Sequence, residues 1–176
     1  MSDDIQFIVE ALNPAKHRRA EFECESRELT EFLRARARKE MEARSSACYV
    51  LTEETDPGRI VGYYTLSQTS VELRELPEAM AKRLPRYPHL GATLIGRLAR
   101  DIAWQGRQVG RFLLIDALRR CVRYSANVGA VVVVTDPKDE KARAFYASHG
   151  FAPLDERRMF MPMSALIERE KRGWDA

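Results

Sequence analysis

The sequence is poor in the residues that mark several classes of protein. Cysteine occurs three times in 176 residues, at Cys24, Cys48 and Cys121, with no Cys-x-x-Cys pair. That spacing supports neither a disulfide framework nor a zinc site, and it leaves reduced thiols in or near a core. The three histidines, His17, His89 and His149, lie far apart, and no metal cluster forms around any of them. No apolar run approaches the roughly 20 residues that span a bilayer. Met1 to Ile5 shows neither the basic nor the apolar region of a secretory leader, so a cytoplasmic protein is expected, with no membrane partner and no metal. The net charge of +3 is too small to mark a nucleic-acid binder by composition, so the placement of the charges has to decide. Low-complexity tracts, repeats and Gly/Ser linkers are absent. With 45% hydrophobic and 31% charged residues the chain falls outside the disordered class. A single domain over 1–176 is expected, its core at about 5–163 and 164–176 a C-terminal tail.

What is present reads as alternating strands and helices. "IQFIVEAL" is a strand. From Ser26, an N-cap, the apolar residues Leu29, Phe32, Leu33, Ala37 and Met41 recur at helical spacing. "ACYVLTEE" and "RIVGYYTLSQTSV" form a hairpin about an Asp56-Pro57-Gly58 turn. "LPEAMAKRL" is a short helix beginning near Pro77, and "LPRYPHLG" a proline-pinned loop. "ATLIGRLARDI" is a long strand, and Val109 to about Asn127 a helix closed by Gly129. "AVVVVTD" has the continuous apolar character of a buried strand. Lys138 to Ser148 is a helix ended by His149-Gly150, and "FAPLDERRMFMPM" gives one or two closing strands. The order predicts an α/β (α+β) layered domain with a mixed, mostly antiparallel sheet flanked by helices.

One junction carries chemistry. In "DIAWQGRQVGRFLL" a strand runs into a loop with Gly106 and Gly110, and then into a helix. Such a loop is either a plain turn or an anion cradle of free N–H groups at the positive helix end. The pattern is not a P-loop, since no Gly-Lys-Ser/Thr comes after it, and not a dinucleotide GxGxxG.

"QGRQVG", with "DEKARAFYASHGF" further along the chain, resembles the GNAT acetyltransferases. The pyrophosphate loop of that family, Gln/Arg-x-x-Gly-x-Gly/Ala, falls on Gln105, Gly106, Arg107, Gln108, Val109 and Gly110. Its Ala-x-x-Phe/Leu-Tyr-x-x-x-Gly-Phe run falls on Ala142, Phe145, Tyr146, Gly150 and Phe151. "FECESRELTEFLRARARKE", "GYYTLSQTSVELRELPEAMAKRLPRYP" and "LIGRLARD" narrow the resemblance to the GNAT toxins of bacterial toxin–antitoxin modules, from about Ile8 to Met163. The resemblance implies a GNAT fold, acetyl-CoA as donor, and the α-amine of an amino acid esterified to tRNA as acceptor. It also implies a ribbon-helix-helix antitoxin as partner and a homodimer. It implies a coenzyme site at Leu98, Ala99, Arg100, Gln105, Gly106, Arg107, Gln108, Val109, Gly110 and Arg111. Gln108 stands where the family loop has its middle glycine. At a positive φ the exchange costs roughly 1–2 kcal/mol, at an ordinary helix N-terminus little, and the N–H is kept in both cases.

Acyl transfer from a thioester needs a neutral amine, donors for the developing oxyanion and a proton for the departing thiolate. Amides near Leu98, Ala99 and Arg100 suit the second need. Tyr146 is either the acid or one aromatic of a core pair with Phe145; the family match favours the acid. No His/Asp or Glu pair stands out as a base, and none is needed: a free α-amine titrates at roughly 7.7–8.0, and esterification of its own carboxyl lowers that further. Basic residues group at Arg34, Arg36, Arg38, Lys39 and Arg44, at Lys82, Arg83 and Arg86, and at Arg97, Arg107 and Arg111. They read either as solvated faces or as a track for tRNA phosphates, with Arg36, Lys39, Arg83, Arg86 and Arg97 the candidate contacts. Two other functions remain open: a GNAT acting on a small-molecule or protein amine without toxicity, and a non-catalytic GNAT-like binding module.

Overall fold

The computed structural model describes residues 5–175, so the leader reading over Met1–Asp4 lies outside the described residues. Hydrogen bonding orders seven strands as β1-β2-β3-β4-β5-β7-β6. They are β1 (Phe7–Ala11), β2 (Ala47–Glu53), β3 (Asp56–Glu72), β4 (His89–Arg100), β5 (Val132–Thr135), β6 (Ala152–Pro153) and β7 (Met159–Pro162). The pairs β1–β2, β2–β3, β5–β7 and β6–β7 are antiparallel, and β4–β5 is parallel. This is the mixed α/β sheet that the order of elements predicts.

The chain forms two compact units. One runs from the first described residue to Ser67 and includes Gly96–Ala117; the other holds Gln68–Ile95 and the chain from Leu118 onward. The core of the first is built from Leu12, Phe22, Phe32, Leu33, Val50 and Tyr63 among others. Ser26 caps α1 (Arg27–Glu31) by accepting from Leu29 N–H at 3.3 Å. Helix α1 is docked by Tyr63, whose hydroxyl donates to the Leu29 carbonyl at 2.6 Å and whose ring meets Phe22 and Phe32. The helix is not continuous to Met41, as its spacing suggests. A π-helical turn over Phe32–Arg36 separates α1 from α2 (Ala37–Glu42), keeping Phe32, Leu33 and Ala37 all buried.

The β2–β3 turn falls at Glu54–Thr55, two residues before the Asp-Pro-Gly signal, with Glu53 opposite Asp56. The signal residues serve the strand instead. The Asp56 carboxylate accepts both Nη groups of Arg18 and the amides of Gly58 and Arg59. A Cβ on Gly58 would collide with the Arg18 guanidinium and come within 3.2 Å of the Lys16 carbonyl.

The second unit has its core at Val71, Leu76, Leu90, Ala92, Val132, Val134 and Phe160. Pro77 precedes α3 (Glu78–Ala81), and His89 opens β4 rather than lying in the loop before it. Helix α4 (Val109–Ser125) ends as Asn127 and Val128 N–H groups both bond the Tyr124 carbonyl. Gly129 is not its left-handed cap; its carbonyl lies 2.5 Å from where a Cβ on Gly91 would stand, so the glycine pair permits close backbone approach. Asp139 caps α5 (Glu140–Ser148) by accepting from Ala142 N–H at 2.8 Å, and Gly150, at φ 97°, lies just past its end. The segment expected as a tail forms α6 (Met163–Arg172), which buries Met163 and Leu166 and leads to the buried Trp174.

Candidate active site

Strand β4 pairs with β5 from Ala92–Val132 to Ile95–Thr135 and then continues through Arg100 with no strand on that side among the described residues. Ala99 is buried, and Leu98 and Arg100 are half-buried. Asp101 ends the strand and fixes the chain beyond it. Its N–H bonds the Val61 carbonyl at 2.8 Å, and its buried carboxylate accepts from Glu23 N–H and Ala103 N–H. A single 3₁₀ turn, Ile102–Trp104, leads into the loop, with Trp104 packed edge-on against Phe7.

The loop holds Gln105, Gly106, Arg107 and Gln108 exposed, then Val109 fully buried at the start of α4. Gly106 takes φ 77° and Gln108 φ 55°, so glutamine does occupy the left-handed conformation that favours glycine. A Cβ on Gly106 would meet nothing within 4 Å, leaving that face of the loop clear. Phe112 N–H is the first to bond back, to the Gln108 carbonyl at 3.1 Å. The N–H groups of Val109, Gly110 and Arg111 therefore form the open first turn of a 17-residue helix. The Arg107 guanidinium lies 4.9 Å from the Trp104 ring centroid, and Arg111 is exposed on the first turn. Helix α4 sits tightly on β3 here, because a Cβ on Gly62 would come within 2.7 Å of Leu113 and 3.0 Å of the Ala99 carbonyl. Oriented amides, a helix N-terminus and two arginines can hold a doubly charged phosphate group.

In the second unit Tyr146 is buried, its ring edge-on to both Phe145 and Phe151 at 5.3 Å. Burial pushes its phenol above the ordinary tyrosine range, and a hydrogen bond with the Thr135 side chain opposes that shift. A phenol so placed stays protonated at neutral pH and has a proton to give. Thr135 escaped the sequence reading; the one signal for it is a polar residue closing the apolar run "AVVVVTD".

The basic residues are not equivalent. Arg97 stacks on the Phe32 ring at 3.7 Å and stands 3.7 Å from Glu40, which also pairs with Arg36 at 3.0 Å. Lys39 is exposed on α2. Arg83 and Arg86 are exposed after α3, in the other unit. The histidines His149 and His17 have structural partners. His149 meets the Phe145 carbonyl at 2.8 Å, and His17 accepts from Asn13 N–H and faces Glu10. Cys48 and Cys121 are buried, and burial pushes each thiol up to about 12, so both are inert. Among the described residues the cysteines are free, and no group of three His, Cys, Asp or Glu could hold a metal.

A mixed sheet whose fourth strand runs into an open, arginine-flanked helix N-terminus is an α/β arrangement able to hold a phosphate group. Comparison with known proteins gives the class a family. The profile of the acetyltransferase (GNAT) domain matches residues 44–153. The chain belongs to the GNAT acetyltransferase family. It is 30% identical over 168 residues to a Sinorhizobium fredii protein named "Probable toxin TacT", covering 90% of this chain and 92% of that one. It is 32% identical over 137 residues to the "tRNA-acetylating toxin" of Mycobacterium tuberculosis, covering 77% and 80% of the two chains. Its structure is similar to that of AtaT complexed with acetyl-methionyl-tRNAfMet, with a TM-score of 0.86 and 28% identity over 93% of this chain and 98% of that one.

Proposed function

We propose that this chain is an acetyl-CoA-dependent N-acetyltransferase of the cytoplasm that acetylates the α-amine of an amino acid esterified to tRNA and so blocks translation. The reading carries with it a ribbon-helix-helix antitoxin as silencing partner, a homodimer, and a single catalytic domain with its core at about 5–163. The observation that carries it is the likeness, over 93% of the chain, to a protein complexed with acetyl-methionyl-tRNAfMet, which is what such a reaction makes from charged initiator tRNA.

When bound, acetyl-CoA supplies the acetyl group as a thioester. The amides of Gln105–Gly110, with Arg107 and Arg111, hold its pyrophosphate. The clear face over Gly106 and the open turn at Val109–Arg111 support this fit. Backbone amides of Leu98, Ala99 and Arg100 hold the pantetheine arm and donate to the acetyl oxygen as it gains charge. Tyr146 gives its phenolic proton to the departing sulfur. No side chain is needed to deprotonate the amine before it attacks, because an esterified α-amine titrates below the roughly 7.7–8.0 of a free one. The proton its nitrogen sheds as the amide forms leaves to water, and the Tyr146 phenolate is reprotonated for the next turnover. Arg36, Lys39, Arg97, Arg83 and Arg86 meet tRNA phosphates, which recognises RNA by backbone and shape.

Cell-free translation tests the reading as a whole. Added protein arrests synthesis only when acetyl-CoA is present, and fresh charged tRNA restores it. Translation that continues while acetyl-CoA is bound and available would contradict it.

A further inference from the structure

On the first unit a cavity of about 350 Å³ is lined by Pro14, His17, Arg18, Arg19, Ala20 and Arg34, with no carboxylate among them. Its three arginines differ in what neutralises them. Arg18 is committed to Asp56 through both Nη groups and to Glu21 through Nε. Arg19 and Arg34 have no acidic partner among the described residues, and backbone carbonyls fix them instead. Arg34 Nε donates to the carbonyl of buried Phe22 at 2.9 Å, and Arg19 Nη1 donates to the carbonyl of Arg34 at 3.3 Å. Each guanidinium is thus held by one N–H, with the rest of its planar fork left to donate. Much of the side-chain entropy that binding an anion would cost has already been lost. His17 takes no part, since Nδ1 accepts from Asn13 N–H at 2.9 Å and Nε2 faces Glu10 at 2.9 Å.

We propose that Arg19 and Arg34 form a phosphodiester-binding site that grips the backbone of an RNA. Arg34 belongs to the basic group of the first helix, but neither it nor Arg19 is among the five residues assigned to phosphate contact above, and the naming of the RNA as tRNA rests on the aminoacyl-tRNA reading. Two cations that line one cavity with no carboxylate in its lining match the singly charged, regularly spaced oxyanions of a nucleic-acid backbone. The planar fork suits phosphate better than the point charge of a lysine.

The test is binding of deacylated tRNA to the full chain across a salt series, read by fluorescence anisotropy, with thermal melting to monitor folding. The double variant Arg19→Gln/Arg34→Gln binds more weakly at low salt, and the slope of log K against log salt falls in magnitude by about 1.4–1.8, roughly 0.7–0.9 for each lost contact. Arg34→Lys, which keeps the charge and loses the fork, gives an intermediate affinity. Arg172→Gln, at the exposed end of α6, leaves the slope where it was. Unchanged affinity and slope in the double variant would overturn the site, as would an equal loss in Arg172→Gln. Inorganic phosphate, titrated by calorimetry, separates the sources: phosphate binding lost in the double variant with tRNA affinity intact would make this a small-anion site and overturn the RNA assignment. Failure of the wild-type protein to bind tRNA would also overturn it. Intact tRNA binding without acetylation of charged tRNA would instead sink the catalytic reading and leave the site standing.

Discussion

Thr135, the last residue of β5, donates its hydroxyl hydrogen to the carbonyl of Ile95, its register partner on β4, at 3.2 Å. The pair closes the β4–β5 ladder, and the same hydroxyl is hydrogen-bonded to Tyr146. The phenol is therefore held against the last rung of a parallel ladder. Once Tyr146 has given up its proton, the Thr135 hydrogen can swing from the Ile95 carbonyl to the phenolate oxygen, in keeping with the way this bond favours the ionised form.

Tyr146→Phe tests the acid. The ring keeps its packing against Phe145 and Phe151, and Thr135 keeps the Ile95 carbonyl as acceptor. Turnover falls by about 10²–10⁴, the usual span of general acid catalysis, while acetyl-CoA affinity measured by calorimetry stays as in the wild type. Equal turnover would remove Tyr146 from the reaction.

Thr135→Val separates positioning from packing. Losing a hydrogen bond to a group that becomes charged costs about 10–100-fold in kcat, with little change in KM. The bond lowers the Tyr146 pKa, so its loss moves the alkaline limb of the pH profile to higher pH. A merely structural threonine would lower stability and leave that limb in place.

The pH profile of kcat/KM has a definite shape. The rate rises as the acceptor amine loses its proton and levels off by about pH 8, because the esterified amine titrates below the roughly 7.7–8.0 of a free one. The acid must be protonated, and burial raises its pKa, so the rate holds past the ordinary tyrosine value of about 10. Steady-state rates showing a decline that begins below about pH 9 would point to an acid other than Tyr146.

Two loop variants test the cradle. Gln108→Gly relieves about 1–2 kcal/mol of left-handed strain and gives back up to about 1 kcal/mol in unfolded-chain entropy. Tm then rises by about 2–4 °C, and acetyl-CoA binds at least as well. Gly106→Ala meets no atom, yet it strains φ 77° and so weakens acetyl-CoA binding with a small loss of Tm. Unaltered coenzyme affinity in Gly106→Ala would argue that the loop conformation does not hold the diphosphate.

Much of the fold was legible because it is local. The buried run of β5, the span of α4, the Ser26 cap and the Gly106–Gly110 loop are all written in neighbouring residues. The failures arise where distant residues decide. Asp56-Pro57-Gly58 has turn composition, but Arg18, 38 residues away, takes the carboxylate and fills the space above Gly58. Gly129 stands after a helix like a cap, yet its place is set by the close approach of Gly91 on β4. The π-helical turn at Phe32–Arg36 leaves no mark in a regular apolar spacing. Helix α6 was missed because Leu166 and Trp174 find their burial only in the folded chain. At the site, the loop could be read from its motif, whereas Thr135 depends on a register 40 residues apart.

The most direct measurement is mass spectrometry of a charged tRNA pool after incubation with the purified protein and acetyl-CoA, with Tyr146→Phe as control. An N-acetylated aminoacyl ester, present with the wild type and lost in the control, is the predicted result and names the amino acid. Acetyl-CoA bound in the same preparation, with every aminoacyl ester left unacetylated, would contradict it and move the acceptor to a different amine.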